Sequence, residues 1–325
     1  MYITFMNIIE LLDLKKNFKA REKGKKRVVE AVKGITLSIA EGEVFGFLGP
    51  NGAGKTTTQR MLCTLLPIDG GGATIAGIDV KKRPNEVRKI VGYVGQSGGT
   101  DNFATGLENL TLQGQLYGMP NDKIKKSAEE LIDLLDLKEI VNRLARTYSG
   151  GQKRRLEIAM GLIHKPKILF LDEPTTGLDP QNRANLWSHI KNLKSDGMTI
   201  LLTTHYLDEA NQLCDRIAII DHGEIVAIGT PKELKKEVAG ESIRIEPEQP
   251  ENLETMTELF QDKQFVKEVR TDEQFIYLTV EKGSTALPQV FDVLKAKNIT
   301  AKSISLAKPT LDDVFLKKTG RSLRD

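Results

Sequence analysis

Short runs of Ile, Leu, Val and Phe, each closed by a polar or turn-forming residue, recur through the middle of the chain in KIVGYVGQ, KPKILFLDEP, GMTILLTTH and DRIAIIDHG. Several are separated by longer segments whose apolar residues return every three or four positions. An unbroken apolar run suits a strand buried on both faces, and the three-to-four spacing marks a helix packed along one stripe. Their succession predicts an α/β domain with a mainly parallel sheet covered by helices. Before about Gly46 the pattern differs: apolar stretches alternate with turn residues, and in ITLSIAEGEVFGFLG the pair Glu41-Gly42 makes a tight turn between two strands. The opening MYITFMNIIELLDL is apolar but has no basic lead-in, and Glu10 and Asp13 interrupt it, so it reads as a starting strand rather than a signal peptide.

Between Gln96 and Lys165 the chain is mostly helical, with apolar residues at three- and four-residue steps over 121–137 and 151–163. This predicts a helical insert over about 97–164, inside a first domain of residues 1–238. A boundary falls near Ala239-Gly240. Beyond it, SIRIEPE, ENLETMTELFQD, FVKEVRT, EQFIYLTVE, TALPQVFDVLKAKN and TAKSISLA read as β-α-β-β-α-β, a ferredoxin-like order over 241–325. A last helix follows in TLDDVFLKKTG, with Thr310 as N-cap, Asp312 and Asp313 in its first turn and Gly320 past its end. This second domain shows no catalytic constellation.

Composition narrows the class without naming it. The 325 residues suffice for one large and one smaller domain, 28% charged and 39% hydrophobic residues are ordinary for a globular chain, and a net charge of +3 is too small to argue for nucleic acid. No apolar run approaches the roughly 18–20 residues that span a bilayer, so the expectation is a cytoplasmic protein. Cys63 and Cys214 lie among aliphatic residues without CxxC spacing and read as small buried thiols.

Two segments carry the chemistry. GPNGAGKTT, comprising Gly49, Pro50, Asn51, Gly52, Ala53, Gly54, Lys55, Thr56 and Thr57, fits G-x-x-x-x-G-K-[ST] between the strand EVFGFL and the helix TTTQRMLCTLL. Glycines let successive N–H groups face a β-phosphate, the helix start adds positive potential, Lys55 meets β- and γ-phosphate oxygens, and Thr56 offers a hydroxyl to Mg²⁺. Downstream, ILFLDEP ends a buried strand in Asp172, placed for Mg²⁺, and Glu173, placed to orient or deprotonate the attacking water. His205 follows the next strand and is placed to donate to a γ-phosphate, whereas His164, His189 and His222 read as structural. Gln96, ending KIVGYVGQ and opening the insert, can reach both Mg²⁺ and water.

The second segment is TYSGGQKRR, in which Ser149, Gly150 and Gly151 start a helix and form an anion site without a lysine. It cannot hold a triphosphate alone and sits in the insert, away from Lys55. Two subunits meeting head to tail resolve this, each ATP lying between residues 49–57 of one chain and 149–151 of the other.

In this order, GPNGAGKTT, Gln96, YSGGQ, LFLDEP, TGLDP and TTH resemble the nucleotide-binding subunit of ABC-type transporters over about residues 7–236. The resemblance implies a P-loop NTPase fold with antiparallel β and helical subdomains. It also implies ATP and Mg²⁺ binding by Lys55, Thr56 and Asp172, Glu173 as base, His205 as switch and Gln96 as coupling glutamine. Ser149 and Gly151, with Gly150 and Gln152 beside them, would then touch the partner's ATP, and Asp179 of TGLDP would cross the interface. Tyr148 replaces a commoner leucine at a side chain that packs rather than binds. Phe18 in KKNFKA is the candidate for stacking on adenine. The run after it is longer than usual and rich in Lys15, Lys16, Lys19, Arg21, Lys23, Lys25, Lys26 and Arg27, which reads as a solvated hairpin tip before an anionic-lipid contact.

More narrowly, GQSGGTDNFATGLENLTLQGQLYG and AKPTLDDVFLKKTGRSLRD are similar to the ATP-binding subunit of daunorubicin-resistance-type drug exporters. That similarity implies an integral-membrane permease as partner, a second and identical ATPase subunit, no nucleic acid, and a position on the inner face of the membrane. The alternatives are an importer ATPase with a sensing C-terminal domain, and a relative acting on nucleic acid or ribosomes. The interval from Gln96 to the signature is too short for the long coiled coil of the DNA-repair type.

Overall fold

The computed structural model describes residues 7–22, 25–237, 240–249, 251–272, 274–307 and 309–320. They form two compact units, one running to Pro231 and one from Lys232. Ala239, at the boundary expected from sequence, lies outside the described residues, as do residues 1–6, Lys23 and the last five.

The first unit begins with an antiparallel hairpin, β1 (Asn7–Glu22) and β2 (Lys25–Ala40). After the Glu41-Gly42 turn the chain enters β3 (Val44–Leu48), but β2 and β3 do not pair: they belong to different sheets, so this turn passes the chain from one layer to the next. Helix α1 (Lys55–Leu62), β4 (Gly70–Ile75), β5 (Ile78–Asp79), α2 (Pro84–Ile90) and β6 (Val91–Val94) follow. The first sheet has the order β2-β1-β4-β5.

The insert contains α3 (Gly106–Leu116), α4 (Asn121–Leu134), a short 3-10 turn and α5 (Gly150–Leu162). Then come β7 (Ile168–Asp172), α6 (Pro180–Ser195), β8 (Thr199–Thr204), α7 (Leu207–Leu213), β9 (Arg216–Asp221), β10 (Glu224–Gly229) and α8 (Pro231–Glu237). The second sheet runs β10-β9-β3-β8-β7-β6, parallel throughout except where β10 turns back on β9. Strands β3, β7 and β8 are buried at every position, which is why their sequences show apolar runs instead of alternation. Phe45, Phe47 and Phe170 join Ile9, Leu14, Ile35 and Met61 in a core shared by the two sheets. Parallel strands point their C-terminal ends one way, so the loops after β3, β6, β7 and β8 open on one edge.

The second unit takes in α8 from Lys232 onward and then β11 (Glu241–Pro247), α9 (Asn252–Gln261), β12 (Val266–Thr271), β13 (Ile276–Val280), α10 (Gly283–Ala296), β14 (Ala301–Ala307) and α11 (Leu311–Thr319). Its antiparallel sheet has the order β12-β13-β11-β14, the ferredoxin-like topology expected from the element sequence. Ile243, Ile245, Phe260, Leu278 and Val290 form its own core. Thr310 and Asp313 cap α11 reciprocally, and Gly320 ends it in the left-handed region.

Candidate nucleotide site

The loop after β3 curls because Gly54 has φ 104°, and a Cβ there would lie 2.4 Å from the Ala31 carbonyl oxygen of β2. Helix α1 starts at the next residue, Lys55, whose buried side chain folds back over the loop. Lys55 Nζ donates to the carbonyls of Gly49 at 2.6 Å and Pro50 at 2.9 Å, and lies 4.0 Å from Glu173 Oε1. Burial pulls its pKa down, against the raising influence of Glu173 and Asp172.

Asp172, at the end of β7, is fully buried. Its Oδ1 accepts from Thr56 Oγ1 and Thr203 Oγ1, both at 2.7 Å, and its Oδ2 accepts from Tyr93 OH at 3.3 Å. The Thr56 hydroxyl and the carboxylate thus present adjacent hard oxygens, the donor type Mg²⁺ takes while keeping waters and phosphates as its other ligands. Among the described residues no group of three His, Cys, Asp or Glu is arranged around a metal, so the protein alone offers only part of such a shell.

Glu173 follows with φ 46°, a left-handed conformation uncommon outside glycine. Its amide donates to the Thr203 carbonyl at 3.1 Å, and its Oε2 accepts from Gln96 Nε2 at 3.1 Å and Thr176 Oγ1 at 3.2 Å. His205 Nδ1 stands 3.2 Å from Glu173 Oε1 without hydrogen-bond alignment, and that nitrogen has no hydrogen-bond partner among the described residues. A cavity of about 330 Å³ is lined by Gln96, Glu173 and residues 51–57. The neighbouring order of β3, β8, β7 and β6 explains why residues so distant in sequence share it.

The second loop lies outside that lining. Ser149 caps α5: its Oγ accepts from Gln152 N at 3.3 Å, and its own amide donates to Gln152 Oε1 at 2.9 Å. Ser149 and Gly150 are exposed and Gly151 is buried. Tyr148 OH donates to the Ile140 carbonyl at 2.6 Å, so the ring packs inside the insert. Asp179 caps α6, accepting from Asn182 N at 2.9 Å. Phe18 sits on β1 opposite Val29, with Lys16 Nζ 5.5 Å from the ring centroid. Val29 is two residues before Ala31, the strand residue against which Gly54 packs. Among the basic residues near the hairpin tip, Lys16 is buried and paired with Asp69 at 2.9 Å, so it is a structural cation.

Sequence reasoning missed Tyr93 and Thr203 on Asp172, Thr176 on Glu173, and Arg154 behind both. The polar residues that interrupt apolar strands at their C-terminal ends were the available signal for the first two. Cys63 and Cys214 are buried, and burial pushes both thiols well up. His164 bonds the Val91 carbonyl and stacks on Tyr117, and His189 bonds the Leu134 carbonyl.

Behind His205, Glu209 of α7 is fully buried and accepts from Trp187 Nε1 at 3.3 Å. Burial raises its pKa, opposed by Thr204, Thr175, Trp187 and Arg183. A carboxyl raised above its unfolded value of 4.5 stabilises the fold below about pH 4.5, and that stability is lost as the pH rises through the folded pKa. The Glu209→Gln variant stays neutral throughout. Its melting temperature should exceed the parent's at pH 7 and converge with it on acidification towards 4.5; a lower value at pH 7 would show the buried carboxylate is ionised and held.

Comparison with known proteins shows the family. The family described as ABC transporter matches residues 32–176, and the family described as the ATP-binding protein DrrA1-3-like, C-terminal domain, matches residues 229–319. The daunorubicin resistance ATP-binding protein DrrA2 of Streptomyces coeruleorubidus is 41% identical, covering 91% of this chain and 92% of that one. The linearmycin resistance ATP-binding protein LnrL of Bacillus subtilis is 37% identical, covering 93% and 96%. A Nod factor export ATP-binding protein I of Rhizobium is likewise 37% identical, covering 97% and 98%. Among solved structures, a dimeric bacterial ABC transporter cassette superposes with a TM-score of 0.61 at 28% identity, covering 68% of this chain and 98% of the other. The same cassette in a post-hydrolysis state, bound to ADP and Pi, aligns equally well at 0.61. The chain belongs to the ATP-hydrolysing subunits of ABC transporters, in the branch of the daunorubicin-resistance ATP-binding proteins.

Proposed function

We propose that this ATPase is one of two identical motor subunits of an exporter for drugs or other hydrophobic compounds. It works on the inner face of the membrane through a separate permease. Lys55 and the loop amides hold the β- and γ-phosphates, and Phe18 stacks on adenine. Thr56, Gln96 and Asp172 would hold Mg²⁺, which when bound would supply charge neutralisation for the phosphates. Glu173 takes the proton of the attacking water and His205 faces the γ-phosphate. Ser149, Gly150, Gly151, Gln152 and Asp179 serve the ATP of the other subunit.

The observation that carries this reading is the division of labour in one chain. Lys55, Gln96 and Glu173 converge on one cavity, whereas the exposed Ser149 helix start lies outside its lining. A second copy supplies what the cavity lacks. Export, rather than action on some other target, is supported by the named activities of the relatives. No helix among the described residues is long and apolar enough to cross a membrane, so transport needs a membrane partner.

A groove of about 360 Å³ between the parallel sheet and the insert suits that partner. Leu65, Tyr93, Leu116 and Tyr117 line it, and Leu65 and Leu116 are 55% and 74% exposed. Tyr93 reaches from this groove to Asp172, which gives a permease helix a mechanical path to the nucleotide. Expressed with its permease and extracted from membranes in mild detergent, the chain should co-purify with it and show ATPase activity stimulated by the exported compound. Recovery only as a free protein, with no response to any exported compound, would reject the exporter reading.

A further inference from the structure

Arg154 lies one turn into α5, beyond the Ser149 cap, and is 7% exposed. Its Nη1 donates to the carbonyl of Gly95 at 2.8 Å, immediately before Gln96. Its Nη2 donates to the carbonyl of Asp172 at 3.0 Å and its Nε to that of Pro174 at 2.9 Å, so one guanidinium brackets Glu173 on both sides. The remaining bond goes from Nη1 to Glu157 Oε2 at 2.9 Å.

Glu157 in turn accepts from Thr100 Oγ1 at 3.2 Å. Gly98 approaches the same carboxylate so closely that a Cβ would lie 2.1 Å from Oε1. The segment carrying Gln96 is therefore pinned to α5 at both ends. Burying an ion pair costs desolvation that an apolar pair of similar volume avoids, so stability alone does not account for this one. What the planar fork supplies is a fixed geometry between helix α5 and the two loops after β6 and β7, which a point-charged ammonium cannot reproduce.

Resting on the head-to-tail reading above, we propose that the Arg154–Glu157 pair is a positioning device. It makes the Ser149 face, which serves one ATP, move as one body with Gln96 and Glu173, which serve the other. Occupation of one site is then felt at its twin, and hydrolysis is cooperative. Arg154 touches neither nucleotide.

The test uses the full chain, with ATP as the varied ligand. The parent should hydrolyse ATP with a Hill coefficient near the number of sites, about 2. The Arg154→Met/Glu157→Leu variant removes both charges together. Because the Gly95, Asp172 and Pro174 carbonyls lose their donor, it should melt below the parent but stay folded at assay temperature and bind ATP with unchanged affinity, while its kcat falls by about tenfold and its Hill coefficient approaches 1. Arg154→Lys, which retains a cation beside Glu157, should also fold and should not restore cooperativity. Parental kcat and Hill coefficient in the double variant would overturn the inference, as would their restoration by lysine. A Glu173→Gln chain that stays monomeric with ATP would instead reject the head-to-tail reading, and this inference with it; a dimeric one beside fully cooperative Arg154 variants rejects the inference alone.

Discussion

Replacing Glu173 by glutamine should leave ATP binding intact, slow hydrolysis by about 10²–10⁴-fold, and accumulate an ATP-bound dimer on size exclusion. The amide keeps the shape of the carboxylate and one acceptor oxygen for Gln96 and Thr176, which lie 3.1 and 3.2 Å away. It cannot take a proton from water. It also removes a negative charge facing the γ-phosphate, so the closed state gains while its exit by hydrolysis is blocked. The energetics allow such a trap: a charge-assisted hydrogen bond contributes about 1.5–3 kcal/mol, and a handful exceed the roughly 5.5 kcal/mol that moves an equilibrium from 1:99 to 99:1. A variant that remains monomeric at saturating ATP, or hydrolyses at the parental rate, would remove Glu173 from the role assigned to it.

The second large effect belongs to Lys55. The Lys55→Ala variant should lose about 10²–10⁴-fold in ATP affinity by calorimetry, which corresponds to two charge-assisted hydrogen bonds to phosphate oxygens. Melting temperature separates this from misfolding. Lys55 is buried and donates to the Gly49 and Pro50 carbonyls, so its removal from the nucleotide-free chain should lower the melting temperature by the loss of a donor, without unfolding the chain that is titrated. Unchanged ATP affinity would mean that the phosphate loop is misassigned.

Much of the fold, and the grouping of the candidate site residues, is legible in the sequence for definite reasons. The apolar runs of β3, β7 and β8 exist because those strands are buried on both faces, and the same burial pushes functional residues to the strand ends. Spacing rules therefore single out the loop of residues 49–57, Asp172 and Glu173 as candidates, and the fold brings them together. The ferredoxin-like order was readable because its elements are short and each is closed by turn residues. Sheet membership was not: the Glu41-Gly42 turn suits two strands of one hairpin as well as two strands of different layers, and only tertiary pairing sends β2 and β3 to different sheets. Arg154 was hidden for a related reason. In sequence it is one of a basic trio with Lys153 and Arg155, and nothing local distinguishes the cation that turns inward. Tyr93 reads as one more strand aromatic until its hydroxyl is seen on Asp172.

The Ser149 cap has a further meaning. A hydroxyl whose lone pair already receives the Gln152 amide still has its hydrogen to give, and Ser149 is exposed. The exposed lip of α5 is therefore polarised in advance: it rewards an oxygen-rich visitor and repels an ammonium.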